Sequence, residues 1–166
     1  MKKKIVILGS TGSIGKYTLD IIRKDKKNFQ IILLTANKNY KKLIKQAKEF
    51  NVKNILIYND KHYKFVKQNL KNKKINIFSR KTKLSKILKK KIDYTMCAIS
   101  GLDGLKPTLE VIKFIIPRLE KNAILLIDDY NLINQEGVKW AVRDTGININ
   151  KGIQTPSGQL IFFFYE

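Results

Sequence analysis

Apolar positions along this chain fall into short continuous runs, separated by stretches in which they recur every three or four residues. Residues 4–8 form a run of strand length. Ile14, Thr18, Ile21 and Ile22 then fall at helical spacing. The alternation continues. The segment FQIILLTA (29–36) predicts a strand, and Tyr40, Leu43, Ile44, Ala47 and Phe50 a helix. NILIY (54–58) is a third strand, and Phe65, Val66 and Leu70 mark a third helix. INIFS (75–79) and LSKILKKK (84–91) are a short strand and a short helix, and YTMCAI (94–99) is a strand. GLDG (101–104) reads as a turn, Leu109, Ile112, Phe114 and Ile115 as a helix, and AILLID (123–128) as a strand.

Strands alternating with helices at short spacing predict right-handed crossovers and a doubly wound, mostly parallel α/β sheet with helices on both faces. The last residues add a helix with Val138 and Val142 on one face and Gly146 as its stop. QLIFFFYE (159–166) is expected as a final strand, antiparallel at a sheet edge and entered through the turn TPSG. No linker rich in Pro or Gly divides the chain. The expectation is therefore one domain over 1–166, with a nucleotide-binding part over 1–112 and completing strands and helices over 113–166.

Gly9, Gly12 and Gly15 lie between the first strand and the first helix. At this spacing a first glycine permits a tight turn, a second lets the backbone approach a pyrophosphate, and a third lets helix and strand pack closely. Helix N-terminal amides then face the phosphates, with Thr11 and Ser13 adding hydroxyl donors. The plainer alternative is a turn that needs flexible residues; the strand–loop–helix setting favours the nucleotide, hence a Rossmann-like fold. An NAD-binding chain places a carboxylate at the end of its second strand, to hold the ribose hydroxyls. Here that strand ends in TANKN, with Lys38 between the amides of Asn37 and Asn39. The missing acid favours a 2′-phosphate, and so NADPH.

Charge changes the picture less than its size suggests. The net charge is +21, and 27 of the 34 basic residues fall in the first 91 positions. That excess invites a nucleic-acid reading. Thirty of the cations are Lys, however, and they alternate with apolar positions as solvated faces do; no aromatic RNA-binding motif is present. Salt-sensitive adhesion to polyanions is expected, and a specific nucleic-acid partner is not. No apolar run reaches the roughly 18–20 residues of a membrane span. MKKK precedes only four apolar residues, against roughly 7–15 in a signal peptide, so a cytoplasmic protein is expected; a mature organellar protein would read the same way. Cys97, the sole cysteine, is expected in the core, and His62, the sole histidine, on the surface.

The blocks KKIVILGSTGSIGKYTLDIIRK, ANKNYKKLIKQAKEF and AISGLDGLKPTLEVI, in this order, resemble the N-terminal NADPH-binding region of deoxyxylulose phosphate reductoisomerases, enzymes of isoprenoid biosynthesis. The resemblance runs over about 2–112. It implies that Thr11, Gly12, Ser13 and Ile14 contact the pyrophosphate and that Asn37, Lys38 and Asn39 hold the adenosine end, although the family usually has Gly where Asn37 stands. Beyond Ile112 the pattern departs. Asp128, Asp129 and Tyr130 stand where Asn, Lys and Glu are expected, and the family's metal-binding and catalytic motifs are not matched. Residues 116–142 followed by FFFYE are similar instead to the end of class I S-adenosylmethionine-dependent sugar O-methyltransferases, in which a paired Asp binds metal. By that resemblance Asp128 and Asp129 would ligate Mg²⁺. The simpler reading of the pair is a polar strand exit and helix cap. Three outcomes follow: an NADPH-binding domain not competent for the full reductoisomerase reaction, a methyltransferase-like enzyme, or a hybrid chain with no specific activity.

Overall fold

The computed structural model describes residues 2–70, 74–88 and 92–99, and beyond them 109, 113, 123–127, 142–143, 146–148, 151–154, 156 and 160–164. The chain divides into two compact units, Met1–Ile99 and Ser100–Glu166, where the sequence reading has one domain divided internally at 112.

The first unit runs β1 (Lys3–Leu8), α1 (Ser13–Lys24), β2 (Phe29–Ala36), α2 (Tyr40–Glu49), β3 (Asn54–Ile57), α3 (Asp60–Asn69), β4 (Asn76–Ser79), α4 (Leu84–Ile87) and β5 (Tyr94–Cys97). Its strands form a five-stranded sheet in the order β4-β3-β2-β1-β5, and every adjacent pair is parallel. The fold is the expected Rossmann-like α/β arrangement. Chain order steps outward from β1 to β4, then returns across β1 to place β5 on its other side. The reversal makes a switch point between β1 and β5, at whose C-terminal crevice open α/β sheets bind ligands.

Val6, Ile7 and Leu8 are fully buried, because both faces of a parallel sheet are covered. Ile5, Ile7, Ile31, Leu34, Ile55 and Ile57 share one core with Leu19 and Ile22 of α1, Leu43 and Ala47 of α2, and Val66 of α3. Val6, Leu8, Leu33 and Leu56 are buried as well, as are Leu84, Ile87, Leu88 and Ile92 of the β4–β5 crossover, which right-handedness assigns to the opposite face. Register shifts between Ile5 and Val6, so β2 carries an irregularity at Ile32. The Asn54 side chain donates to the Ile32 carbonyl at 3.0 Å and satisfies it.

The helical face of α1 differs in part from the expected one. Ile22 is buried as expected, but Ile14 and Ile21 are more than half exposed, and Gly15 and Leu19 are buried in their place. Gly15 explains the rotation. A Cβ there would stand 2.6 Å from Ser10 Cα, so only a glycine lets the helix press onto the loop. Positions four and seven further on then turn toward the sheet, carrying 14 and 21 away from it.

In the second unit, β6 (Ala123–Ile127), β7 (Ile153–Gln154) and β8 (Leu160–Phe164) form a three-stranded sheet in the order β6-β8-β7. Both its pairings are antiparallel. β8 is antiparallel as expected, but its partners are β6 and β7 rather than the edge of the parallel sheet. Of the turn TPSG only Pro156 is among the described residues. Leu109, Lys113, Val142 and Arg143 are helical, Val142 is buried, and Gly146 adopts φ +76°, as a helix stop requires. Val138 and the turn 101–104 lie outside the described residues. Among the described residues no helix is long and apolar enough to cross a membrane.

Candidate functional site

The switch point is occupied by the glycine loop. β1 delivers Gly9, which adopts φ +78° and sits against the Ala98 carbonyl so closely that a Cβ would collide with it. Gly9 thus answers both the turn and the approach of the β5 exit. Gly15 answers the packing of helix on loop. Gly12 differs: it caps α1 with extended backbone (φ −74°, ψ 178°), and a Cβ added there would meet nothing nearer than the Gly9 carbonyl at 3.5 Å. Among the described residues nothing demands a glycine at 12.

The ladder of α1 begins with the Lys16 amide donating to the Gly12 carbonyl at 3.0 Å. The amides of Ser13, Ile14 and Gly15 precede it and are the N-terminal donors of the helix. Gly12 brings no side chain to cap them. With the helix dipole behind them, they form an anion-binding end. Thr11 and Ser13 lie on this open side, half-buried and exposed respectively, where their hydroxyls can add to the set.

The loop is fastened from behind by three polar side chains. The Gly9 amide donates to Thr35 Oγ1 at 2.9 Å, and the Ser10 amide donates to the Thr35 carbonyl at 2.9 Å. Ser10 Oγ donates to Gln46 Oε1 at 2.8 Å, and Gln46 Nε2 donates to the Ser10 carbonyl at 2.9 Å. Ser10, Thr35 and Gln46 are the buried polar side chains among the described residues. The Ala98 amide, donating to the Leu8 carbonyl at 2.8 Å, ties in β5. Sequence reading missed Thr35 and Gln46. The signal available was a polar residue interrupting an apolar face, at 46 between Leu43 and Ala47, and at 35 within IILLTA.

Asn37, Lys38 and Asn39 are exposed together at the C-terminal end of β2, beside the loop that Thr35 holds. Asn39 caps α2, its Oδ1 accepting from the Lys42 amide at 3.2 Å, and its Nδ2 remains to donate to a ligand. The Lys16 side chain, which meets Lys42, lowers the Lys42 ammonium below the ordinary lysine value. Two crowded ammonium groups thus join Lys38 on this basic rim. Tyr40, the first residue of α2, packs on His62 of α3 with ring centroids 5.0 Å apart and on Phe65 at 5.7 Å. His62 is therefore half-buried in an aromatic cluster rather than a surface residue, and its Nδ1 is buried without a partner. Cys97 is exposed rather than in the core, because β5 is an edge strand of the described sheet.

Asp128 and Asp129 lie outside the described residues. Among the described residues no group of three His, Cys, Asp or Glu side chains is placed to hold a metal ion.

A sequence profile of the 1-deoxy-D-xylulose 5-phosphate reductoisomerase family matches residues 5–115. The reductoisomerase of Pelagibacter ubique (strain HTCC1062) is 51% identical over 140 residues, which cover 83% of this chain and 36% of that protein. This similarity runs past Ile112, where the sequence reading has the pattern depart. The solved reductoisomerase of Zymomonas mobilis in complex with NADPH superposes with a TM-score of 0.66 at 32% identity, covering 88% of this chain and 37% of that one. A second solved reductoisomerase, in complex with NADPH, fosmidomycin and magnesium, gives a TM-score of 0.59 at 32% identity over 67% of this chain and 28% of that one. The chain spans about a third of the length of these relatives.

Proposed function

Since the chain belongs to the 1-deoxy-D-xylulose 5-phosphate reductoisomerase family, we propose that Met1–Ile99 is an NADPH-binding unit serving the reduction step of that chemistry. The observation that carries the reading is the contrast among the three glycines. Gly9 and Gly15 are required by backbone contacts inside the protein, whereas a Cβ at Gly12, at a helix N-terminus, would make only ordinary contacts with the Gly9 and Ala98 carbonyls. A glycine without an internal reason, beside unladdered amides, leaves room for a phosphate to approach the backbone.

In this reading Thr11, Gly12, Ser13 and Ile14 contact the pyrophosphate, Thr11, Ser13 and Ile14 through main-chain amides and hydroxyls and Gly12, whose amide donates to the Gly9 carbonyl at 3.1 Å, through its bare Cα. Gly9 and Gly15 set the loop's shape. The basic rim of Lys38, Lys42 and Lys16, with Asn37 and the Asn39 Nδ2, receives the 2′-phosphate and adenosine. No carboxylate stands at the end of β2 to repel that phosphate. When bound, NADPH supplies a hydride. This chain's own residues fix the dinucleotide's phosphates at the switch point and so set where its far end lies.

The test is direct titration of the protein with NADPH, NADH and S-adenosylmethionine at fixed salt, followed by calorimetry. Saturable binding of NADPH, weaker binding of NADH and none of S-adenosylmethionine support the reading. Binding of S-adenosylmethionine without NADPH would replace it with the methyltransferase-like one, and binding of neither would leave only a structural unit.

A further inference from the structure

Gln46 sits in the second turn of α2, between Leu43 and Ala47, on the face that packs against the sheet core. It is 6% exposed. An apolar side chain would complete that face at lower cost, since burying glutamine forfeits both rotamer freedom and hydration. Its amide is committed in both directions to one residue, Ser10, whose own side chain is wholly buried.

The consequence lies one peptide further along. In a trans peptide unit the carbonyl and the following amide point in opposite directions. Gln46 Nε2 draws the Ser10 carbonyl inward, which aims the Thr11 amide outward, to the open side of the loop. The Ser10 amide is held by the Thr35 carbonyl, so the two peptide planes flanking Ser10 are set by separate elements, β2 and α2. Thr35 is part of the strand and cannot be dispensed with; Gln46 is a side chain with one evident task.

We propose that Gln46 is a positioning residue that orients the Ser10–Thr11 peptide so that the Thr11 amide meets the dinucleotide pyrophosphate. This rests on the NADPH reading of the loop. Without the clamp the Ser10 carbonyl loses its buried partner, and the loop samples peptide orientations that do not bind. Apparent affinity falls in proportion to the fraction left competent.

The experiment compares Gln46→Met, which keeps length and volume but not the hydrogen bonds, with the unsubstituted full chain. Two probes are titrated at equal salt: NADP⁺, which carries the pyrophosphate, and adenosine 2′-monophosphate, which carries only the adenosine and 2′-phosphate. The expected result is a loss of roughly tenfold or more for NADP⁺, as a competent fraction of about a tenth would give, with adenosine 2′-monophosphate unchanged within about twofold. Equal losses on both probes would mean that Gln46 only stabilises the fold, and an unchanged NADP⁺ affinity would mean that the loop holds itself; either overturns the role of Gln46 while leaving the site reading intact. If the unsubstituted chain does not bind NADP⁺, the site reading and this role fall together. Should Gln46→Met unfold, Gln46→Glu at pH 8.5 keeps the shape and the acceptor but, once ionised, cannot donate to the Ser10 carbonyl. The same split between probes is then expected and judged by the same criteria.

Discussion

Gly12→Val separates a loop built for a ligand from a loop built for the fold. At Gly12 the backbone has φ −74° and ψ 178°, extended geometry that a β-branched residue adopts freely. The first added carbon would stand 3.5 Å from the Gly9 carbonyl and 3.7 Å from the Ala98 carbonyl, ordinary contact distances. Two small effects on stability oppose each other. A residue less flexible than glycine restricts the unfolded chain, worth about 0.4–1 kcal/mol, while valine is a poorer helix cap by a similar amount. The net change is therefore within about 1 kcal/mol, and the melting temperature should move by no more than about 8 °C for a unit of this size.

Affinity should respond differently. The valine methyls would occupy the space through which a pyrophosphate reaches the amides at the start of α1. Losing two charge-assisted hydrogen bonds of about 1.5 kcal/mol each removes about 3 kcal/mol, on the order of a hundredfold in Kd. The assay pairs NADPH titration by fluorescence with a thermal melt followed by circular dichroism. A folded variant whose Kd for NADPH lies within threefold of the parent's would refute the placement of the pyrophosphate at this loop. Gly12→Ala, with one carbon in place of three, should fall between the two.

Gly15→Ala should do the reverse, because its Cβ would press on Ser10 Cα at 2.6 Å; a loss of about 1–3 kcal/mol is expected in urea unfolding at pH 7. NADPH should bind roughly tenfold more tightly than NADH, one phosphate contact being worth about 1–2 kcal/mol, and Lys38→Ala should narrow that gap; equal affinities in the parent, at constant salt, would count against the basic rim. Stability should fall on acidification. The backbone amide of Lys4, at 2.8 Å, and the Lys3 ammonium hold the Asp93 carboxyl below its usual value of 3.8, and the Arg23 guanidinium does the same for Glu49 below 4.5. Both are depressed carboxyls, so their contribution is full above the unfolded values and disappears as pH drops through the folded ones, below about pH 4. Urea midpoints at pH 7, 5, 4 and 3 should show this decline, and Asp93→Asn should flatten it.

How much of this was legible in the sequence depended on whether a signal was local. Strand and helix order in the first unit followed from local pattern alone, since short continuous apolar runs and a 3.6-residue repeat are visible without knowing any contact. The rotation of α1 was not visible. Ile14, Ile21 and Ile22 offer an apolar stripe by spacing, yet only Ile22 of them is buried, together with Gly15 and Leu19. A glycine that must touch the loop backbone outranks that stripe, and its requirement is tertiary. Cys97 and His62 were misplaced for the same reason. Edge position and ring packing come from strand order and from a neighbouring helix, not from the residues alongside them in the chain. β6 and β8 were each read as strands, but their pairing with one another depended on which strand's edge was available.

The glycine loop was legible for a different reason from its support. A loop that must let a ligand reach its backbone can do so only with small residues at fixed spacing, and that constraint is written contiguously, at 9, 12 and 15. What holds such a loop still is not so constrained. Any buried hydrogen-bonding group at the right place will serve, from any element that passes behind, and here one comes from β2 and one from α2, 25 and 36 residues away from Ser10. Such a residue betrays itself only as a polar interruption of an apolar face, a signal that a surface helix full of lysines hides well. In α2, YKKLIKQAKE, Gln46 reads as one more solvated position until the helix is set against the sheet. Binding residues are thus found by pattern and positioning residues by burial. That is why Gln46, and not a further glycine, is the place where the nucleotide reading can be tested without touching the surface that the nucleotide would contact.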